Sequence, residues 1–201
     1  MNSLYDFIIE PIGDRYNNEK KIGDSTLVLN TSIESFKYVN TKAKVISCPL
    51  AFTTNIKTGD EIIVHHNVFR RFYDIKGKEK NSRSYFKDNQ YFCSVDQIYL
   101  YKNKDTWKGF LDRCFIKPLL DRSLKTSSKL KSNIGVVRYS NSSLEGVKIK
   151  PNALVGFKKD REFEFVIDEE LLYCMKSNDI VIEYEYKGDE EEYNPSWANS
   201  G

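Results

Sequence analysis

Ile9-Glu10-Pro11-Ile12-Gly13-Asp14-Arg15 recurs past the middle of the chain as Ile116-Lys117-Pro118-Leu119-Leu120-Asp121-Arg122. Both stretches read apolar, charged, Pro, apolar, any residue, Asp, Arg. The two copies continue alike. An apolar strand-like run comes next, Ala43 to Cys48 in one copy and Ile134 to Tyr139 in the other. An Ile-Lys turn then enters a further apolar run, Ile56 to Val64 and Ile149 to Phe157. A tyrosine-led segment closes each copy, Tyr91 to Ile98 and Tyr173 to Ile180. Landmarks kept in one order predict two copies of a small domain, and a repeat of this kind decides the fold before any local reading does.

Working outward, short runs of Val, Ile, Tyr and Phe broken by Gly, Asn, Asp, Ser and Lys read as strands. Glu61 to His65 and Gln97 to Tyr101 have this character, and Phe163 to Ile167 alternates before turning apolar. Ile180 to Tyr186 ends in period-two alternation, which leaves one face wet. Only Asp168 to Lys176 reads as a helical turn. Short strands at close spacing predict an all-β chain of two small barrels, over residues 1–104 and 105–187, with the boundary in the polar stretch Lys102 to Gly109. Residues 188–201 open on Asp189-Glu190-Glu191-Glu192, lack apolar periodicity and read as an acidic flexible tail.

Composition narrows the function classes. The 201 residues are 40% hydrophobic and 30% charged, with a formal net charge of +2. That suits a globular protein and gives no overall field for nucleic acid or membrane. With neither a basic, apolar leader nor a long apolar run, the expected location is cytoplasmic, without a membrane partner. Cys48, Cys93, Cys114 and Cys174 are scattered through apolar runs and read as buried free thiols. The sequons Asn30-Thr31-Ser32 and Asn141-Ser142-Ser143 read as chance. His65-His66 would point to opposite faces of a strand, which does not favour a shared metal. No nucleophile elbow, P-loop, dinucleotide fingerprint or placed acid/base pair occurs, so the expectation is a protein that is no enzyme and has no cofactor.

The repeat spacing carries a second message. Pro118 lies 107 positions after Pro11, Ile149 lies 93 after Ile56, and Ile180 lies 82 after Ile98. The first copy therefore holds two surplus loops. Closure entropy makes a loop cheap to lose, and a long one kept on a small domain points to function. The first loop, Tyr16 to Thr26, is polar and turn-rich, then meets Leu27-Val28-Leu29 and Asn30. An apolar tripeptide flanked by polar residues fits a core strand, and it also fits a mobile loop with a sticky tip. Burying three such side chains in a partner would supply roughly 4–8 kcal/mol before ordering costs. The second copy offers only isolated Leu124, Leu130 and Ile134 between Ser123 and Ile134.

These residues resemble the GroES-type co-chaperonins (chaperonin-10 family). That family opens with an apolar-Arg/Lys-Pro-Leu-x-Asp-Arg strand, as at Ile9–Arg15 and Ile116–Arg122. It continues through a loop with a Gly-Gly-Ile-Val-Leu tip, where this chain has Ser25-Thr26-Leu27-Val28-Leu29. A Gly-x-Val strand comes after it, matched by Lys44-Val45-Ile46 and Gly135-Val136-Val137. Val-Lys-x-Gly-Asp-x-Val is then matched by Ile56-Lys57-Thr58-Gly59-Asp60-Glu61-Ile62, with Gly-Asp replaced in the second copy, Ile149 to Val155. The Asp-Ile ending is like Asp96-Gln97-Ile98 and Asp179-Ile180. The resemblance covers the chain twice, to about Tyr186. Divergent members of this kind occur in bacteriophages, and the Asn-, Lys-, Ile- and Tyr-rich usage would suit a virus with an AT-rich genome. The tandem arrangement is similar to that of chloroplast co-chaperonins.

The resemblance implies two GroES-like barrels that assemble as a homo-oligomeric ring, cap a GroEL-type chaperonin and enclose an unfolded client protein. ATP would be bound by the chaperonin. Thr26, Leu27, Val28, Leu29 and Asn30 would be the partner-binding residues. The tip departs from the family in lacking Gly-Gly, and the family has no counterpart as long as His66 to Gln90. That second loop interleaves Arg70, Arg71, Lys76, Lys78, Lys80 and Arg83 with Phe69, Phe72, Tyr73, Tyr85 and Phe86. Basic residues among aromatics suit single-stranded nucleic acid, so the competing reading is a nucleic-acid-binding or virion-structural β protein.

Overall fold

A computed structural model describes residues 3–16, 19–22, 25–28, 38–121, 130–188 and 190–200. The chain divides into two compact units, Met1–Asp105 and Thr106–Gly201. In the first unit the strands are β1 (Phe7–Pro11), β2 (Glu19–Ile22), β3 (Ser25–Val28), β4 (Lys42–Ser47), β5 (Glu61–Val64), β6 (Phe72–Tyr73), β7 (Glu79–Lys80), β8 (Tyr85–Lys87), β9 (Gln90–Cys93) and β10 (Ile98–Asn103). The second unit has β11 (Thr106–Gly109), β12 (Arg113–Leu120), β13 (Leu130–Tyr139), the short helix α1 (Ser142–Gly146), β14 (Leu154–Phe157), β15 (Phe163–Ile167), β16 (Glu170–Lys176) and β17 (Ile180–Tyr184).

The duplication read from the sequence is present in the hydrogen-bonded ladders. The main sheet of the first unit runs β10-β5-β4-β1-β9-β8, and that of the second runs β17-β14-β13-β12-β16-β15. Each strand of one order has its repeat at the same place in the other. Register repeats too. Ile9 faces Val45 and Tyr91, while Ile116 faces Val137 and Tyr173. Pro11 pairs with Ala43, and Pro118 with Gly135. The register slips between Ile8 and Ile9 in one copy and between Phe115 and Ile116 in the other. A one-residue slip would invert every side chain, so a bulge kept at one position twice preserves which residues enter the core.

The Ile-Lys turns share their backbone hydrogen bonds. Gly59 N–H donates to Val45 O at 2.8 Å, and Asn152 N–H to Val137 O at 2.7 Å. Both residues take a left-handed φ, +94° for Gly59 and +70° for Asn152. Asn is among the few residues that tolerate this conformation, so the replaced Gly-Asp costs the second turn little. The two surplus loops fall between Pro11 and Ala43 and between Val64 and Tyr91, because the register is conserved on either side of each.

The architecture is all-β and antiparallel. Among the described residues no ladder joins the two ends of either main sheet. Ile9, Val45, Ile62 and Leu100 are fully buried in the first unit. In the second, Cys114, Ile116, Val137, Val155, Phe157 and Met175 form one core cluster, which Leu144 of α1 closes. Leu119, Val136 and Leu154 form another.

Two local expectations need correction. Asp168 to Lys176 is no helical turn. Asp168 and Glu169, at φ 49° and 65°, make a two-residue hairpin turn, and Glu170–Lys176 is β16. Ladders to β15 and β12 on its two sides override its local propensity. The helical turn lies instead at Ser142–Gly146, where the Asn141 side chain accepts from Leu144 N–H at 3.0 Å as N-cap. Finally, the acidic tail of residues 188–201 reads as flexible in the sequence, yet its described part is strapped to the second unit. Leu120 N–H donates to Glu191 O at 2.8 Å and Tyr193 N–H to Pro118 O at 2.8 Å, while Pro195 and Ala198 are buried. Trp197 stays half exposed.

Candidate functional site

The first surplus loop leaves the sheet at Tyr16 and returns at Val39, and these two residues form an isolated antiparallel bridge. Asn40 clamps that root. Its main-chain N–H donates to Arg15 O at 2.9 Å, and its side-chain amide donates to Ile12 O at 2.8 Å and Asp14 O at 2.9 Å. Beyond the root, β2 and β3 pair Glu19 with Val28, Lys20 with Leu27, Lys21 with Thr26 and Ile22 with Ser25. They form a two-stranded sheet of their own, outside both main sheets. Among the sequence-derived contact residues, Thr26, Leu27 and Val28 thus lie on the second strand of an arm. Leu29 and Asn30 lie outside the described residues. Because β3 pairs with β2 and joins no main sheet, the core-strand alternative for Leu27 and Val28 has no ladder to support it among those residues.

The second surplus loop is bolted to the same root. The Arg15 guanidinium donates to Phe69 O from Nε at 3.2 Å and from Nη2 at 2.7 Å, and to Asn81 Oδ1 at 2.8 Å. It also lies 5.3 Å from the centre of the Tyr91 ring. Arg71 N–H donates to the Tyr16 hydroxyl at 2.6 Å, and its guanidinium stacks over the Tyr16 ring at 4.1 Å. Arg15 and Tyr16 are the last residue of the opening motif and the one after it, so the motif that starts the repeat also fastens both insertions. Sequence reasoning treats the loops as independent, since nothing in residue spacing brings Phe69 to Arg15.

The aromatics of the second loop divide into two groups. Phe69 is fully buried and meets Tyr91 edge-on at 4.9 Å. Phe86 packs on Phe92 at 4.8 Å. Phe72, Tyr73 and Tyr85 are exposed. The Ser82 hydroxyl, buried, donates to Val68 O and ties the far end of the loop to its start.

His65 and His66 do not oppose one another as adjacent strand residues would. His65 sits past the end of β5 as the N-cap of a 3-10 turn, and the two rings stack at 4.2 Å. Burial, then His65 and Arg70, push His66 down to about 4, so its ring is neutral at physiological pH. Its neighbour's Nδ1 accepts from Asn67 N–H at 3.0 Å. No group of three or more His, Cys, Asp and Glu suited to a metal occurs among the described residues. Within the same residues no helix is long and apolar enough to cross a membrane.

Cys93, Cys114 and Cys174 are buried free thiols, pushed upward by burial, Cys174 to about 12. Cys48 departs from the expectation, being partly exposed at the end of β4 with its thiol 3.6 Å from Ile56 O. The sequon residue Asn141 is buried, donating to Arg113 O at 2.8 Å and Ser177 Oγ at 2.7 Å. Asn30 of the other sequon lies outside the described residues.

A site that sequence reasoning misses lies under the tail. Lys117 replaces Glu10 of the first copy, is almost wholly buried, and donates from Nζ to Asn194 Oδ1 at 3.0 Å. Burial holds its ammonium below the ordinary lysine range. Arg138 pairs with Glu170 at 3.0 Å and with Glu192 at 2.7 Å. Lys131 pairs with Glu190. The acidic run is therefore the complement of basic residues on the second sheet.

The sequence matches no protein-family model and no curated protein.

Proposed function

We propose that this chain is a co-chaperonin built from two GroES-like β units. Its β2–β3 arm grips the rim of a GroEL-type chaperonin while the partner binds and hydrolyses ATP. The observation that carries this reading is the arm itself: a hairpin bearing Leu27 and Val28, outside both main sheets, on a root clamped by Asn40 and Arg15. Root rigidity lowers the entropy lost on binding, and apolar residues on the arm's second strand supply the contact energy. The second copy carries no matching apolar tripeptide in its sequence, so one arm per chain is expected.

Each arm binds weakly, and a ring that presents several multiplies their effective concentration. Self-association is supported by β17, an edge strand on which Val181, Ile182 and Tyr184 are exposed. Apolar edges of this kind invite pairing with another chain. The enclosed client would be an unfolded protein, and the setting would be the cytoplasm, that of the host if the chain is phage-encoded.

The test is to mix the chain with a GroEL-type chaperonin and nucleotide and look for capped complexes by electron microscopy. The wild type should cap. Replacing Leu27, Val28 and Leu29 together by Ser should abolish capping and leave thermal unfolding unchanged. Capping by that variant would overturn the assignment of the arm.

A further inference from the structure

The second surplus loop ends in a small hairpin, β6–β7, whose tip is built to hold one side chain in water. Asp74 Oδ1 accepts from Lys76 N–H and Lys78 N–H, both at 2.9 Å. Asp74 N–H donates to Lys78 O at 3.0 Å, and Gly77 N–H to Asp74 O at 2.9 Å. Gly77 takes φ +73°, which a glycine adopts without strain. The hydrogen bonds from Lys78 and Lys76 hold the Asp74 carboxyl below its ordinary range. Within this ordered turn Ile75 is fully exposed, with Phe72 and Tyr73 exposed just before it. A pre-organised turn that keeps a large aliphatic side chain in solvent contributes nothing to its own core.

Charge gives the partner's character. Residues 66–90 hold seven Lys and Arg against three Asp and Glu, a formal +4 in a chain whose total is +2. Two acids are engaged within the hairpin, Asp74 with Lys80 at 3.5 Å and Glu79 with Arg71 at 3.4 Å. Lys76 and Lys78 follow Ile75 in the turn and are exposed. The arrangement is an apolar anchor beside two cations.

We propose that the β6–β7 hairpin is a second contact for the protein that the arm grips: Ile75 enters an apolar pocket whose rim carries carboxylates, which Lys76 and Lys78 meet. The inference rests on the co-chaperonin reading and extends it. Its geometric basis is the shared root. Arg15 and Arg71 tie the base of the hairpin to Arg15–Tyr16, where the arm departs. A body held by the arm therefore lies within reach of the hairpin. Two anchors on one rigid root raise affinity more than either alone. Phe72 has the Arg70 guanidinium 5.4 Å from its ring centre and Tyr85 packs on Tyr91, so each already spends a ring contact within the protein. That favours a protein pocket over base stacking.

Four forms of the full chain test this: wild type, Ile75→Ser, the pair Lys76→Glu with Lys78→Glu, and the Ser-substituted arm. Affinity for chaperonin with nucleotide is measured at low and high salt, and binding to a labelled single-stranded oligonucleotide in parallel. Ile75→Ser should weaken chaperonin binding about tenfold or more. The Lys pair variant should weaken it and flatten its salt dependence. Thermal unfolding should stay unchanged in both. Chaperonin affinity untouched by either hairpin change, while the arm variant loses it, would overturn the hairpin contact and leave the function standing. Failure of the wild type to bind chaperonin would overturn both. Oligonucleotide binding that disappears in the Lys pair variant, with chaperonin affinity intact, would assign the hairpin to nucleic acid instead.

Discussion

Ile12 of the first unit is 39% exposed, whereas its counterpart in the second, Leu119, is fully buried. Register is shared as far as Pro11 and Pro118, but β1 ends at Pro11 whereas β12 runs on to Leu120. Leu119 joins a core cluster with Val136 and Leu154, against which Ile134 and Tyr186 pack, and the C-terminal residues bridge it at Glu192 and run beside Pro118 to Leu120. Beside Ile12 stand Lys42, whose carbonyl accepts from Ile12 N–H at 3.0 Å, and Asn40. The equivalent polar site differs accordingly. Glu10 meets Gln90 at 3.0 Å, while Lys117 is sealed under Asn194. One copy has its tail bonded along the end of β12. The other keeps its surplus residues as two fastened projections. Duplication supplies the frame, and the additions are what distinguish the two copies.

Substitution of the paired core residues is the harshest way to break this comparison. Ile9 and Ile116 occupy the same register and are both fully buried. Changing either to Ala should cost roughly 2–5 kcal/mol, read by urea unfolding, with similar losses for the two. A loss in one unit and none in the other would show that the copies are not energetic equals. Arg15→Ala comes next. It removes three hydrogen bonds from a charged donor, expected at about 1.5–3 kcal/mol, and hydrogen exchange should rise across residues 66–90 and not in the second unit. Asn194→Ala strips the partner from buried Lys117 and should destabilise the second unit by about 1–3 kcal/mol. Added salt should release the tail further, because Glu190 and Glu192 are held by ion pairs.

The mildest test is pH. His66 is neutral in both states above pH 6.5. Between there and about 4 the unfolded chain takes a proton that the folded ring refuses. The first unit should therefore lose stability as pH falls through that window, and its curve should flatten in His66→Asn. A pH response confined to the second unit would contradict the account of the histidine pair.

The repeat is legible because its landmarks are local: Pro after a charged residue, an Ile-Lys turn, a tyrosine-led strand. Those residues set backbone geometry within a few positions, so reading them in order is enough to find two copies and the places where one is longer. The arm is legible as an apolar tripeptide in a polar loop. The tail is not, because Asp189 to Glu192 looks like a solvated acidic run when the partners Lys131 and Arg138 are far off in the chain. The helical turn is hidden for a related reason. Asn141 looks like a chance sequon and is a cap, while Asp168 to Lys176 takes the conformation that β12 and β15 demand of it.

By itself, then, the order of residues determined a duplicated antiparallel β unit, the position of two insertions and the chemical character of each. Only the tertiary structure decided that both insertions share one root at Arg15 and Tyr16, that the acidic end of the chain seals Lys117, and that His65 and His66 stack. The first two depend on groups brought together from distant parts of the chain, and the third on a strand that ends one residue early. Spacing along a sequence encodes strand and turn through short-range sterics, but it holds no record of which charge will desolvate which.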